Sequence, residues 1–98
     1  MRRSRADYFA TSSAFPNPFQ MSSTLRFVLP ARSRGSLRIH DLSGRVVRTL
    51  LDGELSAGSQ SATWDARDDQ GARVPVGTYF ARLMVGDVIA NRTVILVR

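Results

Sequence analysis

The chain has 98 residues, a net charge of +6 and no cysteine. A chain of this length allows one domain with a modest core. Because cysteine is absent, a disulfide framework and thiolate chemistry are excluded. No run of about 18 apolar residues is present, so we expect no membrane span.

All fourteen basic residues are arginine. The positive charge of a nucleic-acid-binding protein is usually clustered on one face. Here the arginines recur singly within apolar segments, which predicts the solvent faces of half-buried strands. We therefore expect no nucleic-acid partner. The arginines placed in this way are Arg26, Arg38, Arg48, Arg82 and Arg92.

The first residues are basic, but residues 6–13 are mixed and polar, so no signal peptide is visible. We expect residues 1–14 to be a disordered lead-in or a linker remnant and residues 15–98 to form the domain. Two prolines at positions 16 and 18 favour extended backbone at the domain entrance. Phe15 and Phe19 are both expected to anchor this segment beneath the domain.

Apolar and polar residues alternate in short segments separated by turn residues, which is typical of half-buried strands. The predicted strands are 24–29, 36–41, 46–51, 60–64, 78–85 and 88–97. No segment shows a helical period over 11 residues without a Gly or Pro. This pattern predicts an all-β, antiparallel sandwich of about seven strands with Greek-key connections.

The alternation also predicts which side chains fill the core. Within the second predicted strand, 36–41, Ile39 is inward, so its neighbour His40 is expected to face solvent or a sheet edge. The predicted core consists of Leu25, Phe27, Leu37, Ile39, Val46, Leu50, Trp64, Tyr79, Leu83, Val94 and Leu96.

The stretch from Trp64 to Tyr79 is the most informative part of the sequence. An aromatic strand end is followed by an Asp-rich turn that closes on Gly71, and Gly77 precedes a second aromatic strand. Such an arrangement is typical of a β-hairpin. A Trp at a strand end is more often core than an open sugar-binding platform, so we expect Trp64 and Tyr79 to be buried.

Residues with reactive side chains do not form a recognisable catalytic set. Asp65, Asp68 and Asp69 have the oxygens that Ca²⁺ prefers, but Asp residues in turns also accept local backbone hydrogen bonds; the sequence leaves this choice open. His40 is the single histidine. We expect no enzyme activity, no cofactor and no small-molecule substrate.

Five segments in order, 17–19, 23–30, 37–48, 64–71 and 76–83, follow a known pattern. The chain resembles the immunoglobulin-like domain of the flagellar hook-capping protein family, and it is similar to the C-terminal sorting domains of bacterial type IX secretion. The resemblance covers residues 16–98. The residues of this pattern with a structural role are Asn17, Pro18, Gly44, Trp64, Asp65, Gly71, Gly77 and Tyr79.

The resemblance implies an immunoglobulin-like sandwich in an exported bacterial protein, located outside the cell or at its surface. Its implied function is sorting or anchoring, with a protein of the outer-membrane secretion apparatus as the partner. A structural role in assembly, as in the hook cap, with a neighbouring surface or assembly protein as the partner, and surface adhesion are the alternatives. The implied sorting contact is the last strand, at Thr93, Val94, Ile95, Leu96, Val97 and Arg98.

Overall fold

The computed structural model describes residues 9–98, with side chains from residue 14 onward. Its seven strands are β1 (Phe9–Phe15), β2 (Ser23–Leu29), β3 (Ser33–His40), β4 (Val46–Leu55), β5 (Gly58–Trp64), β6 (Gly77–Val85) and β7 (Val88–Leu96). They form two antiparallel sheets, ordered β1-β2-β5 and β4-β3-β6-β7. The predicted all-β sandwich of seven strands is confirmed.

Strand lengths differ from the prediction at two places. The strand β1 lies mostly inside the segment for which we expected no order, while residues 1–8 lie outside the described part. The strand β4 runs through Asp52 and Gly53 to Leu55, where a polar loop was expected. Cross-strand pairing with β3 accounts for this extension, since Gly35 faces Gly53 and Ser33 faces Leu55.

The connection between β5 and β6 is not the predicted hairpin. β5 pairs with β2, whereas β6 pairs with β3 and β7, so the chain changes sheets between Trp64 and Gly77. The connection contains a smaller turn of its own, closed by an antiparallel bridge between Arg67 and Arg73. The turn residues therefore correctly predicted a chain reversal. However, the reversal lies within the β5–β6 connection and does not join β5 to β6 as a hairpin.

The core lies between the sheets, on the inward positions of each strand, as alternation requires. Val46 is exposed and Leu50 only partly buried, in contrast to the prediction. The buried position of Phe19 agrees with its predicted role as an anchor. The predicted core omitted other buried members, namely Leu29, Leu55, Ala66, Ala81, Val85 and Ala90.

The solvent-facing positions expected for His40 and Arg92 are also wrong. His40 is buried on the outer side of the four-stranded sheet, where its cross-strand partners are Val46 and Phe80 and its Nδ1 lies 3.1 Å from the carbonyl oxygen of Gly44. Arg92 shares its side of β7 with the buried Ala90 and Val94, so it does not lie on the outer face.

A single methyl group at Gly35 should destabilise the fold. A Cβ there would lie 2.6 Å from the carbonyl oxygen of Met84, and also close to side chains of Val85 and Leu55. Although Gly→Ala in a strand normally removes an entropic cost, we expect Gly35→Ala to lower the free energy of unfolding by about 1–3 kcal/mol. Urea unfolding measures it, with Ser59→Ala on the exposed side of β5 as the control; an increase in stability would contradict the prediction.

Candidate functional site

One end of the sandwich contains five of the eight pattern residues with a structural role, and the other three, Trp64, Gly77 and Tyr79, lie on the adjoining parts of β5 and β6. Because the strands are antiparallel, β1, β3, β5 and β7 all finish at this end, and β2, β4 and β6 begin there. We call it the distal end. It comprises residues 16–22, the β3–β4 turn at 41–45, the β5–β6 connection at 65–76, and residues 97–98.

Asn17 takes the place of a strand residue beside β7. Its Nδ2 donates to the carbonyl oxygen of Thr93 (2.9 Å), and its Oδ1 accepts from the backbone N–H of Ile95 (2.9 Å). Phe19 then continues with its backbone: its N–H donates to Ile95 O (2.9 Å) and its carbonyl accepts from Val97 N–H (2.8 Å). The edge of β7 from Thr93 to Val97 is thus paired by the chain itself.

Three aromatic rings join the distal end to the core. The ring centroid of Trp64 lies 5.6 Å from that of Phe19 and 5.1 Å from that of Tyr79. All three residues are buried, which confirms the core assignment of Trp64 and Tyr79. Neither ring is available as an open sugar-binding platform. Phe15, the other predicted anchor, is exposed instead.

Tyr79 ties β6 to the segment before it. Its hydroxyl donates to the carbonyl oxygen of Pro75, the contact known as a tyrosine corner in immunoglobulin-like sandwiches. Burial raises the pKa of Tyr79, and the nearby negative charge of Asp41 adds to this effect. The phenol therefore remains a hydrogen-bond donor.

The β3–β4 turn is organised by one carboxylate. Asp41 Oδ1 accepts from the Ser43 hydroxyl (2.7 Å) and from the backbone N–H groups of Ser43 and Arg45 (both 3.0 Å). The Ser43 hydroxyl, together with these backbone bonds and Arg45, lowers the pKa of Asp41. Gly44 has a φ of 89°, which the tight reversal requires.

The β5–β6 connection is folded by a second carboxylate in the same way. Asp68 Oδ1 accepts from the backbone N–H groups of Gln70 and Ala72 (both 2.9 Å), and Gly71 closes this turn at a φ of 88°. The carboxylate of Asp68 thus accepts local backbone hydrogen bonds, which is the alternative to a Ca²⁺ site that the sequence analysis gave for these Asp residues. Within residues 9–98, no three acidic, His or Cys side chains are grouped as a metal site would require.

Arg48 attaches the connection to the edge of β4. Its Nη1 donates to Asp65 Oδ1 (2.9 Å) and to the carbonyl oxygen of Arg67 (3.1 Å). That same carbonyl accepts from Trp64 Nε1 (2.9 Å). The arginine therefore links the core aromatic cluster to the connection.

Asp69 forms hydrogen bonds with the edge of β4, as Asn17 does with the edge of β7. Its backbone N–H donates to Val47 O, and its Oδ1 accepts from Thr49 N–H, both at 3.0 Å. Uncovered edges invite pairing with other chains. At the distal end, both edge strands of the four-stranded sheet, β4 and β7, are thus hydrogen-bonded to Asp69 and to Asn17 in place of a further strand.

A cleft of about 720 Å³ opens between the β3–β4 turn and the β5–β6 connection. Three exposed aliphatic side chains, those of Leu42, Val46 and Val76, line it beside Asp41 and Asp69. The two carboxylates already accept backbone hydrogen bonds. The cleft thus combines exposed aliphatic groups with polar turn residues, and internal hydrogen bonds hold the two turns that form it.

Acid should weaken the distal end. Desolvation alone would raise the pKa of Asp65, but the hydrogen bond and charge of Arg48 outweigh it and the pKa is lowered; the pKa of Asp41 is lowered too. A lowered folded-state pKa gives stability that is complete above the ordinary carboxyl value of 3.8 and lost as pH falls through the folded value. Thermal unfolding should therefore show a constant Tm from about pH 7 to 5 and a falling Tm below about pH 4.

Two variants isolate the contribution of this pair. Asp65→Asn and Arg48→Met should each reduce the slope of the free energy of unfolding against pH below about pH 4. The first removes the titrating carboxyl, and the second removes the charge that lowers its pKa. An unchanged slope in both variants would contradict the role of the ion pair.

The residues of the predicted sorting contact are divided between two sides of β7. Val94 and Leu96 are buried in the core, whereas Thr93, Ile95 and Val97 lie on the outer side. Arg98 follows the strand, and its carbonyl accepts from Gln20 Nε2 (2.9 Å). No helix of the described residues is long and apolar enough to cross a membrane.

Sequence reasoning missed the bonds of Asn17, Asp69 and Arg48. An Asn before Pro and a run of Asp residues signal turns, and such signals do not identify a distant strand edge as a hydrogen-bond partner. The arginine on β4 was treated as a solvent-facing residue, yet it is the side chain that joins the β5–β6 connection to the sheet.

Known proteins share this pattern and this fold. The basal-body rod modification protein FlgD of Salmonella typhimurium is 54% identical over 41 residues, which are 42% of this chain and 18% of that protein. The matched segment is thus less than a fifth of the relative.

Solved structures with the same fold include the dimeric latent PorU of Porphyromonas gingivalis (TM-score 0.71, 23% identity, 86% of this chain and 9% of that chain). PorZ of the same organism, described as an essential surface component of its type IX secretion system, has a TM-score of 0.61 at 15% identity over 97% of this chain and 16% of its own. The hook-capping protein FlgD of Xanthomonas campestris has a TM-score of 0.57 at 20% identity over 93% of this chain and 68% of its own.

The family model of the FlgD Ig-like domain matches residues 18–84. This span includes β2 to β5, nearly all of β6, both turns at the cleft and the aromatic cluster. Because the match extends over well more than half of the sequence, the chain belongs to the FlgD Ig-like domain family.

Proposed function

We propose that this chain is a non-enzymatic assembly domain of an exported bacterial protein, and that its distal end contacts the protein being assembled. The observation that carries the proposal is the family match over residues 18–84. The distal end supports it, because two internally hydrogen-bonded turns form a cleft there that carries exposed aliphatic side chains.

The polar groups of the cleft support a binding role over a catalytic one. Asp41, Asp68 and Asp69 all hold turn or strand backbone in place, so none is poised as a general base. The tyrosine hydroxyl is bonded to Pro75 O and its pKa is raised. The exposed aliphatic side chains of the cleft, beside exposed polar residues of the two turns, offer the apolar contact found in the centre of protein interfaces.

A chimera tests the assembly role. The chain would replace the matching Ig-like domain of Salmonella FlgD in cells that lack their own copy, and hook length and swimming would be measured. We expect the chimera to restore both. Val76→Asp at the cleft should abolish the rescue, whereas Val28→Asp on the three-stranded sheet should not; the two valines are similarly exposed, 50% and 47%.

Failure of the unmodified chimera, with normal amounts of soluble protein, would contradict the assembly role. Rescue by the chimera with equal rescue by Val76→Asp would instead remove the cleft from the proposal. Because the chain matches less than a fifth of the Salmonella protein, the remainder of that protein stays in place in the chimera.

A sorting role is the second candidate, favoured by the same fold in PorU and in PorZ. In this role, the outer side chains Thr93, Ile95 and Val97 would be the contact, since the strand edge beside them is paired with Asn17 and Phe19. The full chain fused to the C-terminus of a reporter should direct it to the surface of a type IX-competent host. A reporter that stays in the periplasm would contradict sorting.

A further inference from the structure

The outer face of the four-stranded sheet carries an unusual pair of charges. Arg38 of β3 and Arg82 of β6 are direct cross-strand partners, and both side chains point away from the core because Leu37, Ile39, Ala81 and Leu83 point into it. Like charges directly opposite one another on a sheet destabilise it. A compensating interaction is therefore expected for each guanidinium.

Only one of the two arginines has a carboxylate partner within the described residues. Arg38 donates to Asp52 Oδ2 (3.2 Å) and to the hydroxyl of Ser36 (2.6 Å). Arg82 donates through Nε to the neutral amide oxygen of Asn91 (3.2 Å). Among the described residues, the charge of Arg82 thus has no carboxylate partner, although Arg82 lies opposite a second positive charge.

Apolar side chains surround this charge. Met84 and Ile89 are cross-strand partners on the same face, and they are 39% and 50% exposed. Phe80, half-buried, precedes Arg82 on the same side of β6. An arginine flanked by an aromatic ring and exposed aliphatic groups is the composition found at the energetic centres of protein interfaces.

We propose that this face, which we call the Arg82 face, binds a partner protein through an acidic side chain seated on Arg82 and apolar side chains seated on Met84 and Ile89. A carboxylate there would supply the missing counter-charge with a strong charge-assisted hydrogen bond. The aliphatic side chains of Met84 and Ile89 strengthen such a bond by limiting water around it.

The net charge of the chain indicates which kind of partner binds the Arg82 face. With a net charge of +6, a second copy would bring one positive face against another, so the partner is a different, acidic protein. A nucleic acid fits less well, because its phosphates are matched by rows of basic residues, whereas here apolar groups lie above and below Arg82.

This inference rests on the proposed role as a partner-binding assembly domain, but it concerns a face separate from the cleft. It is tested with the full chain, labelled with ¹⁵N, and a blocked peptide Leu-Glu-Leu-Glu-Leu as the acidic probe. The peptide Leu-Gln-Leu-Gln-Leu has the same shape without the charge. Amide chemical shifts report the location of binding and yield a Kd.

We expect saturable shifts in β6 and β7 around Arg82, Met84 and Ile89 with the Glu peptide, and at least about tenfold weaker binding of the Gln peptide. Arg82→Gln should weaken the Glu peptide by a similar factor. Arg26→Gln, on the exposed side of β2 in the other sheet, should leave its Kd within about twofold. A dispersed spectrum of each variant verifies that it is folded.

Three results would overturn the proposal: equal Kd values for the two peptides, equal effects of the two arginine substitutions, or shifts spread over all arginines of the chain. Tighter binding of inorganic phosphate or of a ten-residue oligothymidine than of the Glu peptide would also overturn it, in favour of phosphate recognition. No flagellum takes part in this titration, so it can fail while the chimera works, and the chimera can fail while the peptide binds.

Discussion

Replacing Phe19 by alanine is expected to lower the free energy of unfolding by about 3–5 kcal/mol. The ring is 2% exposed and packs on Trp64, so the substitution removes buried apolar area and leaves a cavity in the core. A domain of this size typically has a total stability of about 5–15 kcal/mol. Urea unfolding followed by the fluorescence of Trp64, the single tryptophan, measures the loss.

Phe15 provides a matched control four positions earlier. Its ring is 62% exposed, so Phe15→Ala should change the free energy of unfolding by no more than about 0.5 kcal/mol. Equal losses for the two phenylalanines would show that residues 16–20 do not pack as described. The comparison also tests whether the segment before β2 belongs to the folded unit.

Replacing Trp64 by alanine should have at least as large an effect. The indole is fully buried, contacts both Phe19 and Tyr79, and donates to the carbonyl oxygen of Arg67. Removing it costs about 3–5 kcal/mol for the cavity and leaves Arg67 O with Arg48 as its donor. We expect a lower Tm than that of the unsubstituted chain, measured by circular dichroism.

Trp64→Phe separates the ring from its hydrogen bond. Phenylalanine retains much of the aromatic packing but has no N–H donor, so we expect an intermediate loss of about 1–3 kcal/mol. A stability equal to that of the unsubstituted chain would contradict a structural role of the bond to Arg67 O.

Local patterns were sufficient for the class of the fold and for much of its core. Leu25, Phe27, Leu37 and Ile39 were predicted to face inward, and all four are buried. The period of two is a property of each extended strand on its own, so the sequence reveals it without knowledge of neighbouring strands. The glycines likewise marked reversals, because the backbone at Gly44 and Gly71 has positive φ.

Pairing between distant segments could not be predicted in this way. The stretch from Trp64 to Gly77 has the residues of a hairpin, but its two flanking strands belong to different sheets. Whether two successive strands pair or separate depends on which arrangement buries more apolar surface over the whole domain. Phe15 and Phe19 differ for the same reason, since both are next to prolines and only Phe19 reaches the core.

The amino-acid sequence alone was thus sufficient to predict an all-β sandwich, most of its inward-facing residues and its family. The contacts of the distal end became visible only in the tertiary structure: Asn17 and Asp69 bond the edges of two strands, and Arg48 joins the β5–β6 connection to the core. The same is true of Arg82, which lies opposite Arg38 on the outer face of the four-stranded sheet. The physical reason is range: alternation and turn chemistry act over a few residues, whereas the hydrogen bond between Asn17 and Ile95 joins residues 78 positions apart and forms only when the chain between them has folded.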